Sequence, residues 1–203
     1  MGSACAPYNL HSVIDTHFQP HFSAQSRTAA QGTIVLSLLF IAILTVLHFL
    51  EPEFDPSWRM ISEYELGDYG WLMSLAFLAW CGGVLSIDMS IWNALSRGSG
   101  RIARWWLVVI SIALIGASVF YTNAITDPTP RIANTLHSIC GAIVILTFPI
   151  AAMIVSRRLA KLTVFESGRR GLTMMAWLTC LGAMAFFASI IISRAIDPTA
   201  GRV

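Results

Sequence analysis

The chain is short of charge. Only 12 % of its 203 residues are Asp, Glu, Lys or Arg, while 56 % are apolar. A soluble domain usually carries about 25 % charged residues. Thirteen basic and eleven acidic side chains cannot cover a soluble globule of this size. The formal net charge of +2 is too small for the electrostatic footprint of a nucleic-acid binder. Cysteine is also scarce: Cys5, Cys81, Cys140 and Cys180 form no C-x-x-C pair, three of them fall in apolar runs, and no structural disulfide is expected. No Gly-rich phosphate loop, Ser nucleophile elbow, dinucleotide fingerprint or H-E-x-x-H motif is present, which argues against a nucleotide-driven pump and the common hydrolases. Residues 1–31 lack both the basic start and the apolar stretch of a secretory signal.

What remains abundant is apolar sequence in long runs. Mean hydropathy is +0.67. Five stretches, near 32–50, 70–95, 103–125, 133–155 and 172–193, are long enough to cross a hydrocarbon core of about 30 Å. Lipid offers the backbone no hydrogen bonds, so such spans are helices. The expected fold is all-α: an integral membrane bundle of five transmembrane helices over 32–193. A polar tail, 1–31, precedes it and is read as disordered and cytoplasmic, with His11, His17 and His21 as part of that tail and not a metal site. A tail at 194–203 follows. Nine of the 13 basic residues (Arg27, Arg97, Arg101, Arg104, Arg157, Arg158, Lys161, Arg169 and Arg170) fall on one side of this arrangement, leaving Arg59, Arg131, Arg194 and Arg202 on the other. The positive-inside rule then places the N-terminus in the cytoplasm and the C-terminus outside, in a cell membrane.

Polar residues concentrate at the expected outer ends. Asp-Pro-Ser/Thr turns follow each odd-numbered span, at Asp55, Asp127 and Asp197, where Pro ends the helix and Asp caps nearby amides. Loop 51–69 holds six acids against one Arg. Within it Ser62 and Glu65 fit a capping box, Gly67 and Gly70 allow close backbone approach, and Tyr64, Tyr69 and Trp71 suit an interfacial belt. This interleaving suggests a loop folded back over the bundle. His48 ends the first span, His137 lies a turn into the fourth, and Tyr121, Thr122 and Asn123 close the third. The candidate ligand-binding set is therefore His48, Glu63, Glu65, Asp68, Asn123, Asp127, Arg131 and His137, with Glu51 nearby. His48 and His137 would be the metal ligands if a divalent ion were bound. Ala133, His137 and Gly141 share one small polar face, expected to point into the bundle. Asp88, deep in the second span, calls for a structural ion pair with an arginine such as Arg104. Gly82, Gly83, Gly116 and Gly182 mark faces for close helix packing.

The run Ile61-Ser62-Glu63-Tyr64-Glu65-Leu66-Gly67-Asp68-Tyr69-Gly70-Trp71-Leu72-Met73, with Thr126-Asp127-Pro128 leading to Asn134-Thr135-Leu136-His137-Ser138, resembles bacterial membrane proteins of the domain-of-unknown-function family numbered 998. The resemblance covers roughly residues 33–200. It implies a small multi-pass helical bundle in a bacterial inner membrane and no particular reaction. Such proteins look six-spanned, whereas this sequence stops at Val203. A shortened member and a truncated sequence are the two readings, and an open bundle would favour a homo-oligomer or a partner membrane protein. Three functions compete: binding a lipid or small amphiphile in an outer-leaflet pocket, metal-dependent lipid hydrolysis, and a transporter-like role with Asp88 on the path. No catalytic motif assigns an enzyme. Membrane lipids are the expected partners, and nucleic acid is not.

Overall fold

The structure, a computed structural model, describes residues 23–57, 59–96 and 98–196, the last four by backbone only. His11, His17, His21, Arg97, the Asp197 turn and most of both tails lie outside the described residues. Five helices run α1 (Ala24–Leu50), α2 (Gly70–Ser90), α3 (Ser99–Val119), α4 (Ile132–Leu159) and α5 (Arg169–Ile196). Short 3₁₀ turns occupy Ile61–Leu66 and Thr163–Phe165. All five helices are long and apolar enough to cross a membrane, and the described residues contain no strand.

Helix ends depart from the expected spans where polar groups decide them. Helix α1 starts eight residues before the apolar run, because the Ser23 side chain accepts the Ser26 amide at 3.2 Å. At 27 residues it is about 40 Å long and projects beyond the hydrocarbon. Helix α2 stops at Ser90 rather than near 95; the chain turns there, yet Leu95 stays buried. Helix α3 stops at Val119 rather than near 125. Tyr121, Thr122 and Asn123 therefore belong to a non-helical connector, not to a helix end.

The helices run up and down, each packed against its neighbour in sequence. Helix α3 supplies the most regular buried face, at Gly100, Ala103, Leu107, Ile110, Leu114 and Ala117. That alternating three-and-four spacing is the signature of near-parallel helix packing. Helices α2 and α4 meet behind it through Trp80 and Phe148, ring centroids 6.1 Å apart. Helices α1 and α5 flank this central trio: only 6 % of their apolar stretches is buried, against 44 % in α2, so both present long apolar faces that the described residues leave uncovered.

Small residues set the approach of the helices, though not all of those expected. A Cβ on Gly82 would sit 2.9 Å from Leu36 Cδ1, and one on Gly116 2.5 Å from Cys140 Sγ. Gly141 and Gly182 have nothing within 4 Å, so neither marks a packed face. The buried line of α4 runs through His137, Val144, Ala151, Val155 and Leu159. Of the expected Ala133/His137/Gly141 face, His137 is buried while Ala133 and Gly141 are only half-buried; the seam passes from His137 to Val144 and Ala151 in seven-residue steps and on to Val155 and Leu159 in four-residue ones.

A polar ladder crosses the α2/α3 contact. Arg104 donates from Nε to Asp88 Oδ1 at 2.9 Å and from Nη2 to Oδ2 at 3.3 Å. The Arg104 guanidinium lies 3.3 Å from the centre of the Trp92 ring. One step up, the Cys81 thiol donates to the Ser111 carbonyl at 3.4 Å. These pairs share one antiparallel register, in which residue numbers sum to 192, and both acceptor groups are buried in the seam.

Candidate functional site

Loop 51–69 forms a lid across the end of the bundle where α1 stops and α2 begins. The Glu51 amide closes α1 on the Leu47 carbonyl at 2.9 Å. A turn follows, in which Asp55 Oδ1 accepts the Ser57 amide at 2.8 Å. The 3₁₀ turn then buries Ser62, Glu63, Tyr64 and Glu65 in succession. Burial on every side of one turn makes this segment a wedge, not a surface strand.

Tyr64 fills the α1 side of the wedge. Its hydroxyl donates to the Phe54 carbonyl at 3.1 Å, and its ring lies 5.3 Å from that of His48. Tyr64 is only 1 % exposed, which removes it from the expected interfacial belt; Tyr69 and Trp71 are exposed. Burial, with the Glu51 charge next, pushes the Tyr64 hydroxyl pKa up.

Three buried glutamates under the lid differ in how well they are partnered. Glu63 is saturated: its carboxylate accepts Arg59 Nη1 at 2.6 Å, the Met60 amide at 3.2 Å and the Ile125 amide at 3.2 Å. It, rather than the Ser62/Glu65 combination expected, caps the 3₁₀ turn. Glu51 is half-partnered: Oε1 accepts the Tyr69 amide at 2.6 Å while Oε2 has no hydrogen bond. Its pKa is raised, by burial first. Glu65, 5 % exposed, accepts no hydrogen bond at either oxygen. The Thr122 amide faces it without closing a good bond, and burial pushes its pKa up to about 8.

Glu65 points at His137. His137 Nδ1 lies 3.5 Å from Glu65 Oε2 and 2.6 Å from the Phe120 carbonyl. The shorter contact fixes the imidazole: Nδ1–H donates to Phe120, whose carbonyl α3 leaves free by ending there. The connector is held open by Asn134, whose Oδ1 accepts the Asn123 amide at 3.0 Å and the Thr122 hydroxyl at 3.3 Å. Asn123 Nδ2 in turn donates to the Thr129 carbonyl at 2.7 Å.

Two glycines let the lid close. A Cβ on Gly67 would collide with the Glu51 carboxylate, and one on Gly70 with the Glu65 carbonyl. The φ of Gly67 is −83°, open to any residue, so proximity alone calls for glycine there.

Of the candidate residues, the structure brings Glu63, Glu65 and His137 together, with Asn123 shaping the connector beside them. His48 is turned to its own helix, Nδ1 2.6 Å from the Leu44 carbonyl. Asp68 is exposed. Asp127 and Arg131 pair with each other at 3.5 Å at the surface, with Asp127 also capping the Thr129 amide; the Thr129 side chain first, and its amide next, hold the Asp127 carboxyl below its usual range. Among the described residues no three His, Cys, Asp or Glu side chains group to hold a metal ion. The groups that sequence reasoning left out are backbone ones, the Phe120 carbonyl and the Thr122 and Ile125 amides, together with the Asn134 side chain that presents them.

The family described as protein of unknown function (DUF998) matches residues 34–201, a stretch that includes the lid, the connector, helices α2 to α5 and all but the first ten residues of α1. No curated protein and no solved structure matches the chain. With five helices each long and apolar enough to cross a membrane, the chain belongs to the DUF998 family.

Proposed function

We propose that this protein binds a lipid or small amphiphile whose headgroup docks beneath the lid, at the outer leaflet. One observation carries the reading: a deeply buried Glu65 carboxyl with no hydrogen bond at either oxygen, 3.5 Å from His137, in a lid whose neighbouring Glu63 is saturated. An unpaired buried acid is unfavourable by several kcal/mol unless something supplies donors, by order of magnitude. A cationic or hydroxylated headgroup does so. A groove of about 230 Å³ lined by Pro130, Arg131, Ile132, Thr135 and Leu136 lies at the start of α4, the helix that carries His137, and offers room for the apolar part of an amphiphile. The outward placement of the lid rests on the basic residues at the opposite ends of the helices. The competing readings draw less support. A metal-dependent hydrolase needs three ligands that the described residues do not assemble, and a transporter needs a free acid where Asp88 is committed to Arg104.

Headgroup chemistry tests this. The protein is placed in nanodiscs of equal phosphatidylethanolamine and phosphatidylcholine with identical acyl chains, and the lipid retained on release is weighed by native mass spectrometry at pH 5. The ethanolamine ammonium donates hydrogen bonds; the choline group cannot. A hydrogen bond to a charged group is worth about 1.5–3 kcal/mol, so ethanolamine lipid should be favoured roughly tenfold. Glu65→Met should abolish the preference. Equal retention of both lipids, or an unchanged preference in Glu65→Met, refutes the reading.

A further inference from the structure

We propose that the 51–69 lid is a proton-operated latch: it lies closed while Glu65 is protonated, and opens when Glu65 releases its proton to solvent and the carboxylate leaves the bundle. As regulation of the headgroup site this rests on the reading above, but the latch itself needs no ligand.

The geometry separates what moves from what stays. The lid is knit internally: Arg59 to Glu63, Met60 to Glu63, and Tyr64 to Phe54 all join lid residues to one another. Polar ties cross to the rest of the bundle at Glu63, which takes the Ile125 amide, and at Glu65, which faces His137. Glu65 is thus the one glutamate of the wedge that is both buried and without a hydrogen bond. A neutral carboxyl fits that buried position because it loses far less hydration than an ionised one, which is stranded there.

The charged and titratable groups that face Glu65 do not offset this. Helix α4 contributes His137, whose Nδ1 is committed to the Phe120 carbonyl. The connector contributes the Thr122 amide, and the lid contributes Glu63 with Arg59 already bonded to it. The end of α1 contributes Glu51, beside Glu53 and Asp68. The Glu51 pKa is raised in the closed state as well, so Glu51 acts in the same sense as Glu65.

The sign follows. Closed, the Glu65 pKa stands at about 8; released into water it returns to the ordinary value of 4.5. Closure is therefore fully supported below pH 4.5 and weakens as pH rises, by about tenfold per unit until the closed-state value is reached. Above that both states are ionised and the balance stays constant.

The test uses the full-length protein in phosphatidylcholine nanodiscs. Ser62 is buried under the closed lid and Ser57 is exposed. Thiol-labelling rates of Ser62→Cys are divided by those of Ser57→Cys from pH 5 to pH 9. The ratio should climb steeply to about pH 8 and then level off. In a Glu65→Gln background it should stay low, and in His137→Gln the climb should persist. A flat ratio with Glu65 intact, or the same climb in Glu65→Gln, overturns the latch. Hydrogen exchange on the unsubstituted protein gives an independent reading. The protection factor of the Ile125 amide, which bonds Glu63 across the lid boundary, corrected for intrinsic exchange, should fall across the same interval, and constant protection also overturns it. Loss of headgroup selection at pH 5 with the pH response intact would sink the binding reading and leave the latch standing.

Discussion

Replacing Gly67 by Ala isolates the closest contact under the lid. The backbone at Gly67 has φ −83° and ψ 177°, a conformation Ala adopts freely. Any effect must therefore come from the new methyl, which would overlap the carbon and both oxygens of the Glu51 carboxylate. Glu51 has to leave, and with it goes the Oε1 bond to the Tyr69 amide at 2.6 Å. A hydrogen bond to a charged group contributes about 1.5–3 kcal/mol, and overpacking a tight site costs about 1–3 kcal/mol. Partial relief comes from returning a half-satisfied buried acid to water. The expected net destabilisation is about 2 kcal/mol. The double-mutant cycle with Glu51→Ala makes this decisive, because that change removes all three of the atoms nearest the methyl. Reversible unfolding in mixed micelles, followed by circular dichroism, should show Gly67→Ala losing about 2 kcal/mol alone and less than about 0.5 kcal/mol beside Glu51→Ala. An equal loss in both backgrounds would mean that the collision with Glu51 is not why glycine stands there.

Asp88→Asn should destabilise the protein by about 3–5 kcal/mol in the same assay by leaving Arg104 buried without its counter-charge, and Asp88→Leu with Arg104→Leu should recover most of that; a single-mutant loss below about 1 kcal/mol would refute a structural role. Gly116→Ala should be costly through Cys140 and be rescued by Cys140→Ala, while Gly141→Ala should lie within about 0.5 kcal/mol of the parent. If Gly141→Ala proves the worse of the two, the α3/α4 packing is misassigned. For orientation, Ser57→Cys should react with an impermeant maleimide in intact cells and Lys161→Cys only after permeabilisation, and the reverse pattern would invert the topology.

The number of helices and their order were legible in the sequence because hydrocarbon imposes a length and a polarity that no packing detail can override. The ends were less so. Apolar content continues past both Ser90 and Val119, yet the chain leaves the helix where side chains and a neighbouring carbonyl offer better partners. Of the site, Glu63, Glu65 and His137 were marked by chemistry that is unfavourable inside a membrane. Asp68 and Arg131 carry the same chemistry and lie at the surface. Residue type does not say which way a short 3₁₀ turn rotates its side chains. The pairing of Glu63 with a backbone amide 62 residues away has no signature in residue spacing. Gly141 shows the limit of periodicity: the same small residue is open space on one side of α4 and would be a clash on the side where Cys140 meets Gly116.

The Asp88–Arg104 pair has a consequence for how the chain enters the membrane. Asp88 lies in the last turn of α2 and Arg104 in the second turn of α3, and a lone charge on a span opposes insertion, by up to about 2.5–3.5 kcal/mol at the centre and by less towards the ends. Joined by a short connection, α2 and α3 can neutralise each other only once both have been synthesised. Helix α2 should therefore wait in the insertion channel until α3 arrives, and the two should pass into lipid as a single hairpin. A nascent chain arrested soon after α2 has emerged should then insert it poorly, one extended through α3 should insert it well, and Asp88→Leu should remove the difference. The cell would be building the bundle from its centre, with the ladder between α2 and α3 as its first finished joint.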